Sequence, residues 1–325
     1  MTVDTIGIES IREAARLIEP YLHRTPTVRS TTLSRQVGAD VALKLELFQK
    51  TGSFKPRGAL TNMLSLPAAS RERGVITISA GNHAQGVAYA AQQLGVAATV
   101  VMPAAASPMK AAAARAYGAE VILHGDVHQA FEKVRELEVE RNLTFVHPFD
   151  HPRTIAGQGT VGLEVMADVP DADVIVVPVG GGGLIAGVAL AVKALRPATR
   201  IIGVEPQGAS AMIQSRAAGS VVHLDRVDTI ADGLAPPFVG ELNFEIAERH
   251  VDELVAVDDA TLVRGMHFLL TRVKVMAEPA GAAAVAALLS GQLQVPAGRV
   301  VCIVSGGNFD PARFPEIFRE SGSTT

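Results

Sequence analysis

Hydrophobic residues follow two patterns that alternate along the chain. Short runs rich in β-branched residues predict buried strands at residues 41–47, 75–79, 99–102, 121–123, 174–179, 200–204 and 299–304. Alanine-rich stretches with helical spacing lie between most of these runs and predict helices at residues 84–94, 107–117, 184–195 and 280–289. Strands that alternate with helices indicate an α/β protein with mostly parallel sheets.

Composition supports this fold class and narrows the function classes. The chain has 325 residues, of which 48% are hydrophobic and 19% charged, enough for one or two closely packed domains. Its 33 acidic and 29 basic side chains are mixed along the sequence and give a formal net charge of −4. No basic strip is available to bind phosphodiesters or anionic lipids, so we expect neither nucleic acid nor membrane as a partner.

The single cysteine and the first residues are typical of a cytoplasmic protein. Cys302 lies in an apolar run, where a buried thiol is the expected reading, and a disulfide within the chain is impossible. Residues 1–18 have apolar positions at helical spacing but lack the basic and unbroken apolar regions of a signal peptide. No apolar stretch approaches the roughly 20 residues of a membrane span, and we therefore expect a cytoplasmic protein.

Lys55 is the first candidate for chemistry. It stands directly before a proline in residues 50–59, a segment that follows a predicted strand, and proline suits the first turn of a helix. The positive end of a helix favours a neutral amine, which can form an imine with an aldehyde cofactor. Taken alone, the same pattern also fits a solvated surface lysine.

Four consecutive glycines follow a predicted strand and open a predicted helix. Gly180, Gly181, Gly182 and Gly183, followed by Leu184, would expose backbone N–H groups that form a cradle for a phosphate. A flexible turn is the plain alternative. A dinucleotide site is another, although the Gly-x-Gly-x-x-Gly spacing is met only loosely.

A second strand-to-helix turn is formed by Ser79, Ala80, Gly81, Asn82 and His83. Its backbone amides could hold a carboxylate, and the Asn82 amide could contact a phenolic oxygen. Helix capping by Ser79 or Asn82 is the structural alternative. His83 could act as a base, but a capped or core histidine is the expected role.

Two further residues allow either a structural or a chemical role. Ser305 ends the last predicted strand and is either a turn residue or a donor to a ring nitrogen. Glu278 precedes a proline, and Glu-Pro is a common helix start.

In combination and in their order, these motifs resemble the fold-type II family of pyridoxal-phosphate enzymes, specifically its serine/threonine dehydratase branch. The matching segments are residues 51–59, 79–86, 177–187, 203–206, 229–235, 278–282 and 305–308.

The resemblance implies a role for each candidate residue. Lys55 would carry pyridoxal 5'-phosphate as a Schiff base, Asn82 would contact the ring hydroxyl, and Ser305 would face the pyridine nitrogen. The phosphate would lie on the glycine loop with Leu184, and Phe54 and Glu278 would complete the cofactor site. The turn from Ser79 to His83 would bind the substrate carboxylate.

The resemblance also implies an architecture. It is that of the tryptophan synthase β-like enzymes, with two open, mostly parallel-sheet domains and the cofactor in the cleft between them. We expect a large domain formed by residues 1–50 and 151–325, a small inserted domain at residues 51–150, and a homodimer or homotetramer.

The implied reaction is dehydration and deamination of L-threonine or L-serine to 2-oxobutanoate or pyruvate plus ammonia. Racemases of this kind have a serine at the position of Ala80, and alanine cannot move a proton. Their metal site needs carboxylates besides that of Glu205, but residues 208–212 offer none, so no metal is predicted. Residues 235–239 lack a cation for a second carboxylate, which favours threonine or serine over 3-hydroxyaspartate.

Three alternatives remain at this stage. β-Replacement chemistry is related, but the motifs at residues 231–234 and 278–281 resemble dehydratases more closely. A catalytically silent regulatory protein that binds pyridoxal phosphate would keep the same cofactor contacts. A nucleotide-binding module would use only the glycine loop.

Overall fold

The computed structural model describes residues 6–295 and 297–319, so the first five residues of the predicted N-terminal helical segment lie outside it. The strands are β1 (Thr27–Arg29), β2 (Asp40–Leu45), β3 (Val75–Ile78), β4 (Ala98–Met102), β5 (Glu120–Leu123), β6 (Thr144–Phe145), β7 (Val174–Pro178), β8 (Arg200–Pro206), β9 (Glu253–Val257) and β10 (Arg299–Val304). The α-helices are α1 (Ile8–Ile18), α2 (Thr31–Val37), α3 (Lys55–Leu64), α4 (Ala68–Arg73), α5 (Asn82–Leu94), α6 (Pro108–Ala116), α7 (Val127–Glu140), α8 (Pro152–Asp168), α9 (Gly183–Leu195), α10 (Ala211–Ala218), α11 (Glu241–His250), α12 (Asp259–Phe268), α13 (Pro279–Leu289) and α14 (Phe314–Arg319).

The larger sheet has six strands in the order β1-β2-β10-β7-β8-β9. All neighbouring strands are parallel except β1, which runs antiparallel to β2 at one edge. Strands β7 and β10 are buried along almost their whole length, because helices cover both faces of the sheet. This double coverage explains the continuous apolar runs of the sequence.

The smaller sheet has four parallel strands in the order β5-β4-β3-β6. Its strands all come from the chain between β2 and β7, so this sheet is an insertion into the larger one. The fold is therefore α/β with two mostly parallel sheets. The domain boundaries expected from the sequence stay a prediction.

Each predicted strand is present, but several begin or end at other residues than predicted. The run predicted at residues 41–47 leaves the sheet after Leu45, because Glu46–Phe48 form a 3-10 turn. Strand β8 continues to Pro206, two residues beyond its prediction. Strands β1, β6 and β9 were not predicted.

Glycines allow three helices to approach one another closely at the start of α3. A Cβ atom on Gly86 of α5 would lie 3.1 Å from the backbone carbon of Lys55. One on Gly157 of α8 would lie 2.5 Å from the backbone oxygen of Arg57. The first turn of helix α3 thus packs directly against the backbones of α5 and α8. This packing fixes the position of Lys55.

Two further properties concern the described residues. None of their helices combines the length and apolar character that spanning a bilayer requires. Nor do these residues bring three His, Cys, Asp or Glu side chains together as a metal site.

Cys302 is fully buried in β10, and burial raises the pKa of its thiol.

Candidate active site

A cavity of about 410 Å³ lies between the two sheets. It lies at the ends of strands from both sheets, next to the first residues of the helices that follow them. Open α/β sheets bind their ligands at this place. Every site residue predicted from the sequence lines this cavity: Phe54, Lys55, Ser79, Ala80, Gly81, Asn82, His83, Gly180, Gly181, Gly182, Gly183, Leu184, Glu278 and Ser305.

Lys55 is the first residue of α3 and directs its ammonium into the cavity. Its Nζ donates a hydrogen bond of 3.0 Å to the backbone oxygen of Pro148 and lies 5.3 Å from the centre of the Phe54 ring. Burial lowers the pKa of Lys55 to about 8, although the carboxylate of Glu278 opposes this shift. A buried lysine of this kind supplies an appreciable neutral fraction near neutral pH.

The glycine loop connects β7 to α9 and can accept no side chains at its centre. A Cβ atom on Gly181 would lie 2.4 Å from the ring of Phe149, and Gly182 has φ +90°, which favours glycine. Helix α9 begins at Gly183, so its first N–H groups have no intrahelical acceptor. The loop therefore presents amide donors at the positive end of a helix, as an anion site requires.

Asn243 of α11 fixes the orientation of this loop. The backbone oxygen of Gly181 accepts hydrogen bonds from Asn243 Nδ2 at 2.7 Å and from the N–H of Gly240 at 3.1 Å. The C=O and N–H of a trans peptide point in opposite directions, so the N–H of Gly182 points away from α11. Sequence reasoning missed Asn243, because nothing in the residues around it signals a contact with a loop so distant in the chain.

The turn before α5 exposes helix N–H groups without a side-chain cap. Helix α5 begins at Asn82, and Gly81 is its N-cap. The hydroxyl of Ser79 instead accepts a hydrogen bond of 3.1 Å from the N–H of Gly81. Capping by Ser79 or Asn82, the structural alternative, is therefore not what the structure shows.

His83 has the core role expected from the sequence, although it also borders the cavity. Its Nε2 lies 3.2 Å from the backbone oxygen of Val146. Burial, and next the nearby charge of Lys55, hold the pKa of His83 well below its usual range. The imidazole is consequently neutral at physiological pH.

Asn82 and Glu278 form a polar contact across the cavity. Asn82 Nδ2 donates to Glu278 Oε1 at 2.5 Å, while the buried Oε2 of Glu278 has no hydrogen-bond partner among the described residues. Burial raises the pKa of Glu278 to about 7, against the opposing effects of Lys110 and Asn82. Glu278 is also the N-cap residue before Pro279, so the helix-start interpretation is correct as well.

Ser305 connects the end of β10 to the lysine segment. It is buried, lines the cavity and accepts a hydrogen bond of 3.1 Å from the N–H of Phe54 through its backbone oxygen. The strand end that carries Ser305 thus also positions the residue before Lys55.

The remaining wall is largely apolar, with one ion pair at its edge. Phe131, Phe149 and Phe238 contribute rings to it. Lys110 of α6, which sequence reasoning missed, lines the same cavity and pairs with Asp232 at 2.5 Å. The cavity therefore contains a second cation, although residues 235–239 supply none.

Comparison with known proteins agrees with this arrangement. A family model described as pyridoxal-phosphate dependent enzyme matches residues 18–306. The chain is 46% identical to the L-threonine ammonia-lyase of Thermotoga maritima over 94% of this chain and 76% of that protein. It is 42% identical to the catabolic L-threonine dehydratase of Escherichia coli (strain K12) over 96% of each. The solved structure of maize serine racemase, at 39% identity, superimposes with a TM-score of 0.93 over 97% of each chain.

Proposed function

The chain belongs to the family of pyridoxal-phosphate-dependent enzymes, and on that premise we propose that it deaminates L-threonine or L-serine to 2-oxobutanoate or pyruvate. The single observation that carries the proposal is the cavity in which Lys55, the glycine loop, Asn82 and Ser305 meet. The named activities of two of the relatives, an L-threonine ammonia-lyase and an L-threonine dehydratase, support the same substrate.

The residues of the cavity fit pyridoxal phosphate. The loop from Gly180 to Gly183 would hold the phosphate on amides that Cβ atoms would otherwise crowd. Asn82 and Ser305 would contact the ring oxygen and ring nitrogen, and the unpaired Oε2 of Glu278 lies in the same cavity. Lys55 would hold the cofactor covalently through Nζ.

Lys55 is then the group that moves the proton. When bound, the cofactor supplies an electron sink for the bonding electrons left at the substrate Cα. As a free amine, Lys55 Nζ would take the Cα proton of the substrate. Its pKa of about 8 places it in the range in which a general base both exists in neutral form and binds a proton strongly.

The substrate carboxylate would bind the N–H groups at the start of α5, where the residues from Ser79 to His83 face the cavity. This contact orients the Cα–H bond toward Lys55. The rings of Phe131, Phe149 and Phe238 exclude water from the reacting atoms. The β-hydroxyl would then leave as water, with a proton equivalent to the one that Lys55 took from Cα. Hydrolysis of the resulting enamine by a second water gives the 2-oxo acid and ammonia.

Two features bear on the choice of substrate. Ala80 has no proton to donate at the position where the racemases that this chain resembles have a serine, which favours elimination over racemisation. Lys110 could attract a second carboxylate, but Asp232 compensates its charge in the same cavity edge. Threonine and serine are therefore preferred over 3-hydroxyaspartate in this proposal.

The test is a panel of threonine, serine, 3-hydroxyaspartate and phenylserine, with release of the 2-oxo acid and of ammonia as the readout. We expect turnover with threonine or serine and none in Lys55→Ala. Lys50→Ala, which removes an exposed lysine nearby, is the matched control and should behave as the native protein. Borohydride reduction should attach the cofactor to the peptide that contains Lys55. Normal turnover by Lys55→Ala, or a clear preference for hydroxyaspartate, would contradict the proposal.

Two broader properties belong to the same proposal. The family resemblance supports a homodimer or homotetramer, which sedimentation equilibrium would measure. The cytoplasmic location expected from the sequence would be tested by cell fractionation.

A further inference from the structure

A chain of side-chain amides leads from the backbone near Lys55 into the cavity. Asn308 Nδ2 donates to the backbone oxygen of Thr51 at 2.7 Å and to Asn82 Oδ1 at 2.8 Å. Asn82 Nδ2 then donates to Glu278 Oε1 at 2.5 Å. Four separate segments of the chain thus share one row of hydrogen bonds.

The direction of this row is fixed at its outer end. An asparagine amide can exchange the positions of its oxygen and nitrogen by a half-turn, so its neighbours decide which orientation it takes. The backbone oxygen of Thr51 can only accept, so Asn308 must direct its NH2 group there. The second hydrogen of that group then reaches Asn82 Oδ1, which leaves the NH2 of Asn82 facing Glu278 and the cavity.

Asn308 is not needed to hold the two loops together. The N–H of Gly307 donates to the backbone oxygen of Gly52 at 2.8 Å, and the N–H of Phe54 donates to that of Ser305 at 3.1 Å. Ser53 and Gly306 also form an isolated bridge. Since backbone bonds already join these loops, the specific effect of the Asn308 side chain falls on Asn82.

Space around Asn308 restricts it to this arrangement. A Cβ atom on Gly52, which has φ +72°, would lie 2.5 Å from Asn308 Oδ1. The amide oxygen is therefore packed against the backbone of Gly52, and the amide nitrogen is directed at Thr51 and Asn82.

We propose that Asn308 is a positioning residue that orients the Asn82 amide so that its NH2 group donates to the ring hydroxyl oxygen of pyridoxal phosphate. Without Asn308, only Glu278 still holds the NH2 group of Asn82. An Asn82 amide that turns would place its own oxygen toward the cavity, where it would repel the oxygen that it should stabilise. Loss of this donor raises the energy of the deprotonated ring oxygen. The inference rests on the cofactor site of the proposed function.

The test compares Asn308→Ala and Asn308→Asp with Asn82→Ala, using purified holoenzyme without substrate. The readouts are the ratio of the long- to the short-wavelength absorbance band of the bound cofactor as pH varies, and the dissociation constant of the cofactor. Both Asn308 variants should change the band ratio in the direction of Asn82→Ala and weaken cofactor binding about tenfold, as expected for a lost hydrogen bond to a charged oxygen. Asn308→Asp keeps the volume of the side chain, so it also serves if the alanine variant folds poorly.

Two controls separate positioning from a structural effect. Asn62→Ala removes another buried amide, which contacts His151 and Thr154 outside the cavity, and its bound cofactor should have the native band ratio. The double variant Asn82→Ala/Asn308→Ala should match Asn82→Ala alone, because Asn308 acts through Asn82.

A native band ratio in both Asn308 variants, or additive shifts in the double variant, would overturn the inference and leave the proposed function standing. Absence of a visible cofactor band from the native enzyme, or its survival in Lys55→Ala, would instead overturn the cofactor site and, with it, this inference.

Discussion

At the scale of single residues, Lys55 has a measurable pH signature. Only the neutral amine can take a proton from the substrate, and burial lowers the pKa of Lys55 to about 8. The kcat of the native enzyme should therefore rise about tenfold per pH unit below pH 8 and level off above it. Stopped-flow rates from pH 6 to 9 measure this, and a flat profile between pH 6 and 8 would contradict a pKa near 8 for the base.

A substitution of Glu278 tests how its charge affects the pKa of Lys55. Its carboxylate acts to raise the pKa of Lys55, so Glu278→Gln should move the rising part of the kcat profile to lower pH. A shift toward higher pH would show that Glu278 acts on Lys55 through something other than its charge.

Gly181 tests the glycine loop. The methyl group of Gly181→Ala would meet the Phe149 ring at 2.4 Å, so we expect destabilisation of about 1–3 kcal/mol together with weaker cofactor binding. Gly7→Ala is the control, because a Cβ atom there meets nothing within 4 Å. Urea unfolding measures the stability, and titration with the cofactor measures its binding. Native values for both would mean that the Phe149 ring moves aside without disturbing the loop.

Some residues of the site can be predicted from a local sequence pattern, and others cannot. Lys55 and the glycine loop are marked by a neighbouring proline and by consecutive glycines, so the sequence alone identifies them as candidates. Lys110 and Asn243 carry no such mark, because their partners Asp232 and Gly181 come from distant segments and only tertiary packing joins them.

At the scale of secondary-structure elements, burial decides which strands can be predicted from the sequence. The predicted strands are the central ones, whose continuous apolar runs reflect helices on both faces, together with the edge strand β5. The unpredicted strands all lie at sheet edges, and β1 and β6 have three and two residues, too short for a period to show. Strand β9 is only partly buried and therefore has a weaker apolar pattern.

A buried ion cluster anchors α3 to β2 and α8. Arg57 donates to Glu46 at 2.8 Å and to Glu164 at 2.7 Å, and Lys44 contacts Glu164 at 2.6 Å. Arg57→Met would leave these carboxylates buried without their main partner, so we expect a loss of about 3–5 kcal/mol of unfolding free energy. Arg141→Met breaks an exposed pair with Glu120 and should cost less than about 1 kcal/mol.

The cluster also predicts how stability depends on pH. Burial alone would raise the pKa of Glu164, but Arg57 and Lys44 lower it overall. Glu164 therefore contributes stability that is present above its ordinary pKa and is lost as pH falls through the lowered value. In Arg57→Met this acid-side loss should shrink, because the lowering partner is gone. Urea unfolding between pH 3 and 7 measures both slopes, and parallel slopes would place the acid sensitivity elsewhere.

At the scale of the whole molecule, Lys110 and Asp232 connect the parts of the chain that carry the two sheets. Helix α6 packs with the smaller sheet, while Asp232 begins the 3-10 turn Asp232–Leu234 beside α13. The Lys110 side chain is buried and that of Asp232 is 54% exposed, so the pair closes the edge of the cavity next to solvent.

Lys110→Met should therefore weaken the contact between these two parts of the chain with little change in folding. Because Asp232 is half in solvent, we assign the pair about 1 kcal/mol, which corresponds to a roughly fivefold rise in KM for threonine with a smaller change in kcat. Lys133→Met removes an exposed pair with Glu136 on α7 and should leave both constants at native values. Asp232→Asn should resemble Lys110→Met, and the double variant should be no worse than either, since both remove one contact. A fall in kcat with native KM would show instead that Lys110 acts on the reacting atoms rather than through its contact with Asp232 at the edge of the cavity.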